Sequence, residues 1–363
     1  MLSLFSDFQL KSVWLRNRIA VSPMCQYSAV DGFVNDWHLV HLGSLAAGGA
    51  GLIIGEATAV SPEGRITPGC TGLWSDEQAE AWKPIVHFIE KHGAVPGIQI
   101  AHAGRKASAS RPWEGGAHLP SNHPEAWEPI GPSAIAFGGD LNRVPHEMTK
   151  AEIDRVRDSF VAAAVRARDA GFKWLVLHFA HGYLAQSFFS PLANHRTDEY
   201  GGSFDHRARF ILDTLKAVRA VWPEKYPLTA RLGVIDYVPG EQPLEEGIEL
   251  VRQMKTAGLD LVDVSLGFNT PDQSHVPWGE HAFLAPIAQR VAQEAGIRVA
   301  TTWNITDPHK ADELIRGEHV DLVMLGKSML SDPHLPYHFA QTLGQPHPHQ
   351  VLPEQYAYWL NRE

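Results

Sequence analysis

The chain reads as a single α/β domain over residues 1–363, a closed (β/α)8 TIM barrel with long loops after its third and fourth strands. Two observations point there. A helix-like segment, a glycine and a short apolar run recur in "AAGGAGLIIGEA", "EKHGAVPGIQIAHA", "RDAGFKWLVLHFA", "KTAGLDLVDVSLG", "QEAGIRVATTW" and "IRGEHVDLVMLG", and glycine just past a helix is the expected cap. The runs are near-continuous Val, Ile and Leu, as in parallel strands covered on both faces. With two further runs at 18–24 and 227–234 the strands number eight, and no second block of composition follows. An open doubly wound sheet would carry G-x-G-x-x-G after its first strand, where this chain has "PMCQYS".

In order, "RIAVSPM" (18–24) is the first strand. Residues 37–55 carry no formal charge and are long enough to span a bilayer, but five glycines and two histidines interrupt them. They read as a short helix, a stop at Gly48-Gly49 and the second strand. Ser75 with Gln78 and Thr149 with Glu152 have capping-box spacing and start the helices before strands three and four. Residues 104–148, rich in Pro, Gly and Trp, and residues 179–204 are too long for simple turns. At the C-terminal strand ends such loops build active sites. Thr306, Asp307 and Pro308 open the helix after strand seven, and Gly326-Lys327 follows strand eight. A helix N-terminus beside a lysine suits a phosphate group.

Composition narrows the class. With 44% hydrophobic and 20% charged residues the chain can bury a large core, and its net charge of −10 argues against a nucleic-acid partner. Cys25 and Cys70 are too few for a disulfide framework or a four-thiolate cluster, which fits a reducing compartment. Asp7, Lys11 and Arg16 break any signal-peptide core, so the expectation is a cytoplasmic protein with no membrane partner.

The strand ends bring together Pro23, Met24 and Cys25 with Tyr27; Glu56 and Ala57; Gln99 to His102; His178, His181 and Tyr183; Arg231; Ser265 to Gly267; Thr302, Trp303 and Asn304; and Leu325 to Lys327. His178 and His181 have a spacing seen in zinc sites, with His102 and Glu56 as further ligands, and that leaves a metal-dependent barrel hydrolase as one reading. Satisfied core histidines are another, strained for a His, His, Tyr cluster at one strand end. The favoured reading is two imidazole donors converging on a substrate oxygen beside a phenol, whose ordinary pKa of about 10 keeps it protonated and able to deliver a proton. Arg231 ends an apolar strand and needs an anion, either a ligand or a barrel carboxylate. Cys25 by spacing alone is packing, and Trp359 in "EQYAYWLNRE" anchors the C-terminus or reaches elsewhere.

"RIAVSPMCQY", "IQIAHAGRKA", "LHFAHGYLAQSFFSPLANHRTDEYGGSF" and "LGKSMLSDP" resemble the Old Yellow Enzyme family of FMN-dependent ene-reductases, most of all its bacterial xenobiotic reductase A type. The resemblance implies FMN held non-covalently, with NADPH or NADH as hydride donor and activated alkenes (enones, and nitro compounds) as substrates. It implies Ser22, Pro23, Met24, Cys25, Ala57, Gln99 and Arg231 around the flavin ring, and Trp303, Asn304, Gly326 and Lys327 at the phosphate and ring edge. His178 and His181 grip the substrate oxygen, Tyr183 donates the proton, and Tyr27 and Trp303 shape the pocket. The tail 351–363 is expected to lend Trp359 to a neighbouring subunit, making at least a homodimer. No metal is expected. Lys327 stands where the family has arginine, Asn304 where it often has glycine, and His206 where it has asparagine. These departures bear on FMN affinity and leave a catalytically silent flavin barrel as the remaining alternative.

Overall fold

In the computed structural model, which describes residues 2–361, eight parallel strands close into a barrel. They are β1 (Ile19–Val21), β2 (Leu52–Ala59), β3 (Val95–Ala101), β4 (Trp174–Phe179), β5 (Leu228–Ile235), β6 (Leu261–Leu266), β7 (Arg298–Thr301) and β8 (Leu322–Leu325). A helix follows each: α1 (Asp36–Ala47), α2 (Asp76–Lys91), α3 (Lys150–Asp169), α4 (Phe204–Val221), α5 (Leu244–Thr256), α6 (Ala285–Ala295), α7 (Pro308–Arg316) and α8 (Leu335–Thr342). Among the described residues no helix is long and apolar enough to cross a membrane.

Residues alternate between two cores. Outward-facing strand residues such as Ile53, Ile98, Leu175 and Val262 meet the apolar stripes of the helices. In α2 that stripe is Ala79, Trp82, Ile85, Val86 and Ile89, the spacing of one helix face, and Trp82 packs edge-on against Phe172. Inward-facing Leu52, Trp174, Leu261 and Leu322 fill the barrel with Phe8, Val13 and Leu15. The last three come from an antiparallel hairpin, Phe8–Leu10 with Val13–Leu15, which plugs the end opposite the catalytic mouth.

Both predicted capping boxes form, on α2 by Ser75 and Gln78 and on α3 by Thr149 and Glu152. The 37–55 stretch is α1, the Gly48-Gly49 break and the start of β2. Gly48 is required by contact, since a Cβ there would sit 1.7 Å from the Pro333 carbonyl oxygen. The glycine rule fails once: Gly317 has φ −78° and Glu318 takes the left-handed turn at φ 55°. Three boundaries differ from expectation. The first strand ends at Val21, because Ser22 to Tyr27 leave the ladder as a mouth loop; residues 179–204 contain a short helix, Leu184–Phe189; and residues 267–284 form a third mouth loop.

Candidate active site

Barrel register sets the first row of the site. His178 lies beside Arg231, and Arg231 beside Asp263, across β4, β5 and β6. Cross-strand partners share a face, so the guanidinium Nε reaches Asp263 Oδ2 at 2.5 Å while Nη2 donates to Ser22 Oγ at 2.8 Å. The anion expected for Arg231 is thus a barrel carboxylate. Asp263 was missed in the sequence, although an acid inside "LVDVSL" was its signal. Asp263 Oδ1, His178 Nδ1 and Gln99 Nε2 are buried with no protein partner. Buried polar atoms are normally paired, so these await a ligand or water.

The turn after β4 supplies the second row. His181 adopts φ 63° and contacts Ser265 Oγ through Nε2 at 2.7 Å. Its ring stands 5.1 Å from that of His178, nearly perpendicular, and the Tyr183 ring lies 5.0 Å from that of His178. Burial, then Arg231 and Lys106, push the His178 pKa well below the ordinary imidazole value. Burial, then His178, Arg231 and Lys106, do the same to His181. Burial pushes the Tyr183 phenol up, with Cys25 and Cys70 adding to it. The site therefore holds two neutral imidazoles and a protonated phenol at pH 7. Lys106 donates to the His181 carbonyl at 3.0 Å, and sequence reasoning missed it because it lies in a loop that folds back.

A cleft of about 400 Å3 opens between the ends of β1, β7 and β8, lined by Ser22, Pro23, Met24, Arg231, Trp303 and Gly326 among others. Volumes of about 300–1,000 Å3 are usual for cofactor pockets. His181, Asn304 and Lys327 also border it. Trp303 (φ 76°) and Asn304 (φ 53°) turn left-handed, and the Trp303 ring packs among Phe268, Trp278 and Phe283 from the 267–284 loop. Ala57 and Gln99 are adjacent partners on β2 and β3. Cys25 is partly buried, and burial followed by Glu56 pushes its thiol up, so it is not a reactive thiolate. Tyr27 sits edge-on to Trp113 at 5.9 Å. Trp359 is 66% exposed on the helix Glu354–Leu360, away from its own cleft; residues 362–363 of the expected tail lie outside the described residues.

Two readings are corrected. The N-terminus of α7 is not free for phosphate, because the Asp307 carboxylate already accepts from the His309 and Lys310 backbone N–H groups at 2.8 and 3.3 Å. The ligands drafted for a metal are engaged elsewhere. Glu56, the bulge residue between Gly55 and Ala57, accepts from Gln26 N at 3.0 Å and faces His38, and His102 Nδ1 accepts from Gly104 N. Among the described residues no group of three or more His, Cys, Asp or Glu could hold a metal ion.

The buried, partnerless Gln99 amide, the Arg231 guanidinium at the wall and a polar β7–β8 end with Asn304 and Lys327 fit a flavin mononucleotide. Fold and site together define a flavin-dependent barrel oxidoreductase. Residues 3–345 match the NADH:flavin oxidoreductase / NADH oxidase family, and the chain belongs to that family, the one that contains Old Yellow Enzyme. It is 40% identical over 343 residues to the NADPH dehydrogenase of a Geobacillus species, covering 94% of each chain. It is 41% identical over 347 residues to that of Listeria innocua, covering 95% of this chain and 96% of the other. Morphinone reductase in complex with tetrahydroNAD superposes with TM-score 0.78 at 26% identity over 93% of this chain and 90% of that one. The Old Yellow Enzyme homologue of Zymomonas mobilis gives TM-score 0.78 at 25% identity, over 94% and 93%. A 2-naphthoyl-CoA reductase shares the fold at TM-score 0.85 and 24% identity, but this chain spans only 54% of it. The protein is an NAD(P)H-dependent flavin oxidoreductase.

Proposed function

We propose that this enzyme is an ene-reductase of the xenobiotic reductase A type, reducing the C=C bond of activated alkenes such as enones, and nitro compounds as a second class. The observation that carries this is the convergence of His178, His181 and Tyr183 on one space beside the cleft that holds Arg231. The residues of that cleft would hold FMN non-covalently, and the bound flavin, once reduced by NADPH or NADH, would supply the hydride that the alkene β-carbon accepts.

The chain's own residues do the rest. Ser22, Pro23, Met24, Cys25, Ala57 and Gln99 would hold the ring, with Arg231 against its electron-rich edge. Trp303, Asn304, Gly326 and Lys327 would hold the ring edge and phosphate. His178 and His181 donate hydrogen bonds to the substrate oxygen, where negative charge builds as the β-carbon accepts hydride. The Ser265 hydroxyl, hydrogen-bonded to His181 Nε2 at 2.7 Å, holds the ring in its orientation. Because both rings are neutral, they polarise the oxygen without protonating it. Tyr183 then delivers its proton to the α-carbon. Tyr27 and Trp303 bound the substrate, and Trp359, exposed on its own subunit, completes the pocket of a neighbour in a homodimer or larger homo-oligomer.

The test is anaerobic spectroscopy. The purified protein is yellow, NADPH bleaches it, and 2-cyclohexenone restores the colour while cyclohexanone accumulates. Bleaching without reoxidation by any enone would refute the alkene-reducing reading.

A further inference from the structure

A phenol that gives up its proton must regain one each turnover, and the surroundings of Tyr183 make the intermediate tyrosinate costly. Burial already raises its pKa, and its close ring neighbour His178 is held neutral. The nearest mobile cation is Lys106. Its Nζ lies 5.1 Å from the Tyr183 ring centroid and 4.3 Å from that of Phe137, and its hydrogen bond goes to the His181 carbonyl. Among the described residues this ammonium has no ion-pair partner.

Arg105, next to Lys106 in the chain, joins a cluster of polar side chains from the loops after β4, β5 and β6. Asp236 Oδ2 accepts from Asn269 N at 3.1 Å, the buried Arg105 guanidinium donates to the Asn269 carbonyl, and Ser190 Oγ donates to Glu241 Oε1 at 2.6 Å. Five buried atoms of this group have no protein partner: Arg105 Nε, Glu241 Oε2, Gln242 Oε1 and both side-chain polar atoms of Asn269. So many partnerless polar atoms leave this cluster with hydrogen-bonding capacity that water entering from solvent would meet. The Tyr183 mechanism uses none of these groups.

We propose that Tyr183 is recharged through this polar cluster rather than from the cleft, by proton transfer through Lys106, Asp236 and Glu241. The proposal rests on Tyr183 as proton donor. After Tyr183 protonates the α-carbon, its anionic oxygen takes a proton from Lys106 Nζ. The resulting amine takes one from the Glu241 carboxyl by way of water held at Asp236 and Asn269, and the Glu241 carboxylate takes one from solvent. Each turnover consumes one solvent proton, and no group changes oxidation state.

The charges facing each relay group support this. Lys106 is faced by Arg105 on its own segment, His178 and His181 from the end of β4, and Asp236 after β5. Burial and then Arg105 bring its pKa down to about 8, against the pull of Asp236. Glu241 is faced by Asp236 and Arg105. Burial brings it up to about 7, although the Ser190 hydrogen bond opposes this. Lys106 and Glu241 thus sit within reach of neutral pH from opposite sides, as proton transfer requires.

The experiment is rapid-quench kinetics of pre-reduced holoenzyme with cyclohexenone under NADPH regeneration. The first turnover draws on the proton already on Tyr183; later ones need the relay. Glu241→Gln should form one product per site at close to the wild-type rate and then slow at least about tenfold, and Lys106→Met should slow by at least about tenfold relative to its own first turnover. Lys106→Arg keeps the charge and a donor toward His181 but holds its proton too tightly, so it should show the same burst. A readout independent of turnover is the Lys106 titration by NMR, expected near pH 8 and lower in Asp236→Asn, whose carboxylate no longer supports the ammonium. A slow Tyr183→Phe first turnover alongside unchanged later turnovers in Lys106→Met and Glu241→Gln would overturn the relay alone. A slow first turnover in Glu241→Gln, or a Lys106 midpoint at the ordinary 10.5, would also overturn it. A fast Tyr183→Phe first turnover would instead remove Tyr183 as donor.

Discussion

In the proposed mechanism Tyr183 and His178 divide the work, and single substitutions should separate them. Tyr183→Phe removes the proton source but touches neither Arg231 nor Ser22. The oxidative half-reaction should slow by about 10²–10⁴ while reduction by NADPH stays nearly unchanged, measured by stopped-flow absorbance. Equal loss in both halves would contradict the proton-donor role. His178→Ala removes an oxygen-facing donor whose Nδ1 has no partner in the protein. It should weaken binding of phenols, which mimic the enolate oxygen, by about tenfold or more in a flavin-absorbance titration. These residues were legible because His-x-x-His-x-Tyr at a strand end concentrates chemistry within six positions. Asp263 and Lys106 were not. The first acts through the β5–β6 register, which places it beside Arg231, and the second through a loop that returns to the end of β4. No local pattern encodes either contact.

Helices and strands were read closely where a cap or an apolar run defines them, as at Ser75, Thr149 and the eight barrel strands. Loop walls were read poorly. The 267–284 loop, which brings Phe268, Trp278 and Phe283 around Trp303, was missed although its polar, Pro- and Gly-bearing stretch "NTPDQSHVPWGEH" marked it. The α7 N-terminus looked open to phosphate, but a Ser/Thr/Asp N-cap and an anion site share one signature, and Asp307 turned inward. If Lys327 is then the main charge at the phosphate end, Lys327→Ala should raise the Kd for FMN by about tenfold, read by fluorescence quenching on titration of apoprotein. An unchanged Kd would assign the phosphate to backbone groups of the β7–β8 end instead. Ser75→Ala removes the α2 cap and should cost about 1 kcal/mol in denaturant unfolding, with kinetics unaffected.

Taken together, the folded molecule keeps several histidines from protonating. His41 and His102 are brought down to about 4, and His178 and His181 well below the ordinary value, chiefly by burial. Their unfolded forms bind protons as pH falls through about 6.5 while the folded forms do not, so stability is fully present above that pH and drains away below it. Glu241, raised to about 7, acts in the opposite sense between about pH 7 and 4.5, as do the raised Asp236 and Asp263, but these three carboxyls stand against six lowered histidines once His118 and His281 are counted. The urea midpoint should therefore fall between pH 7 and pH 5; a rise would contradict these assignments. The exposed Tyr356, Tyr358 and Trp359 on the last helix fit a tail that serves another subunit, and truncation after Leu352 should reduce both assembly mass and enone turnover. Whether His178, His181 and Tyr183 reduce an alkene at all is decided by one anaerobic cuvette. NADPH should bleach the protein and cyclohexenone should restore its yellow colour with one cyclohexanone formed per bleached site. A colourless protein that binds no FMN, or a bleached one that no enone reoxidises, would contradict it.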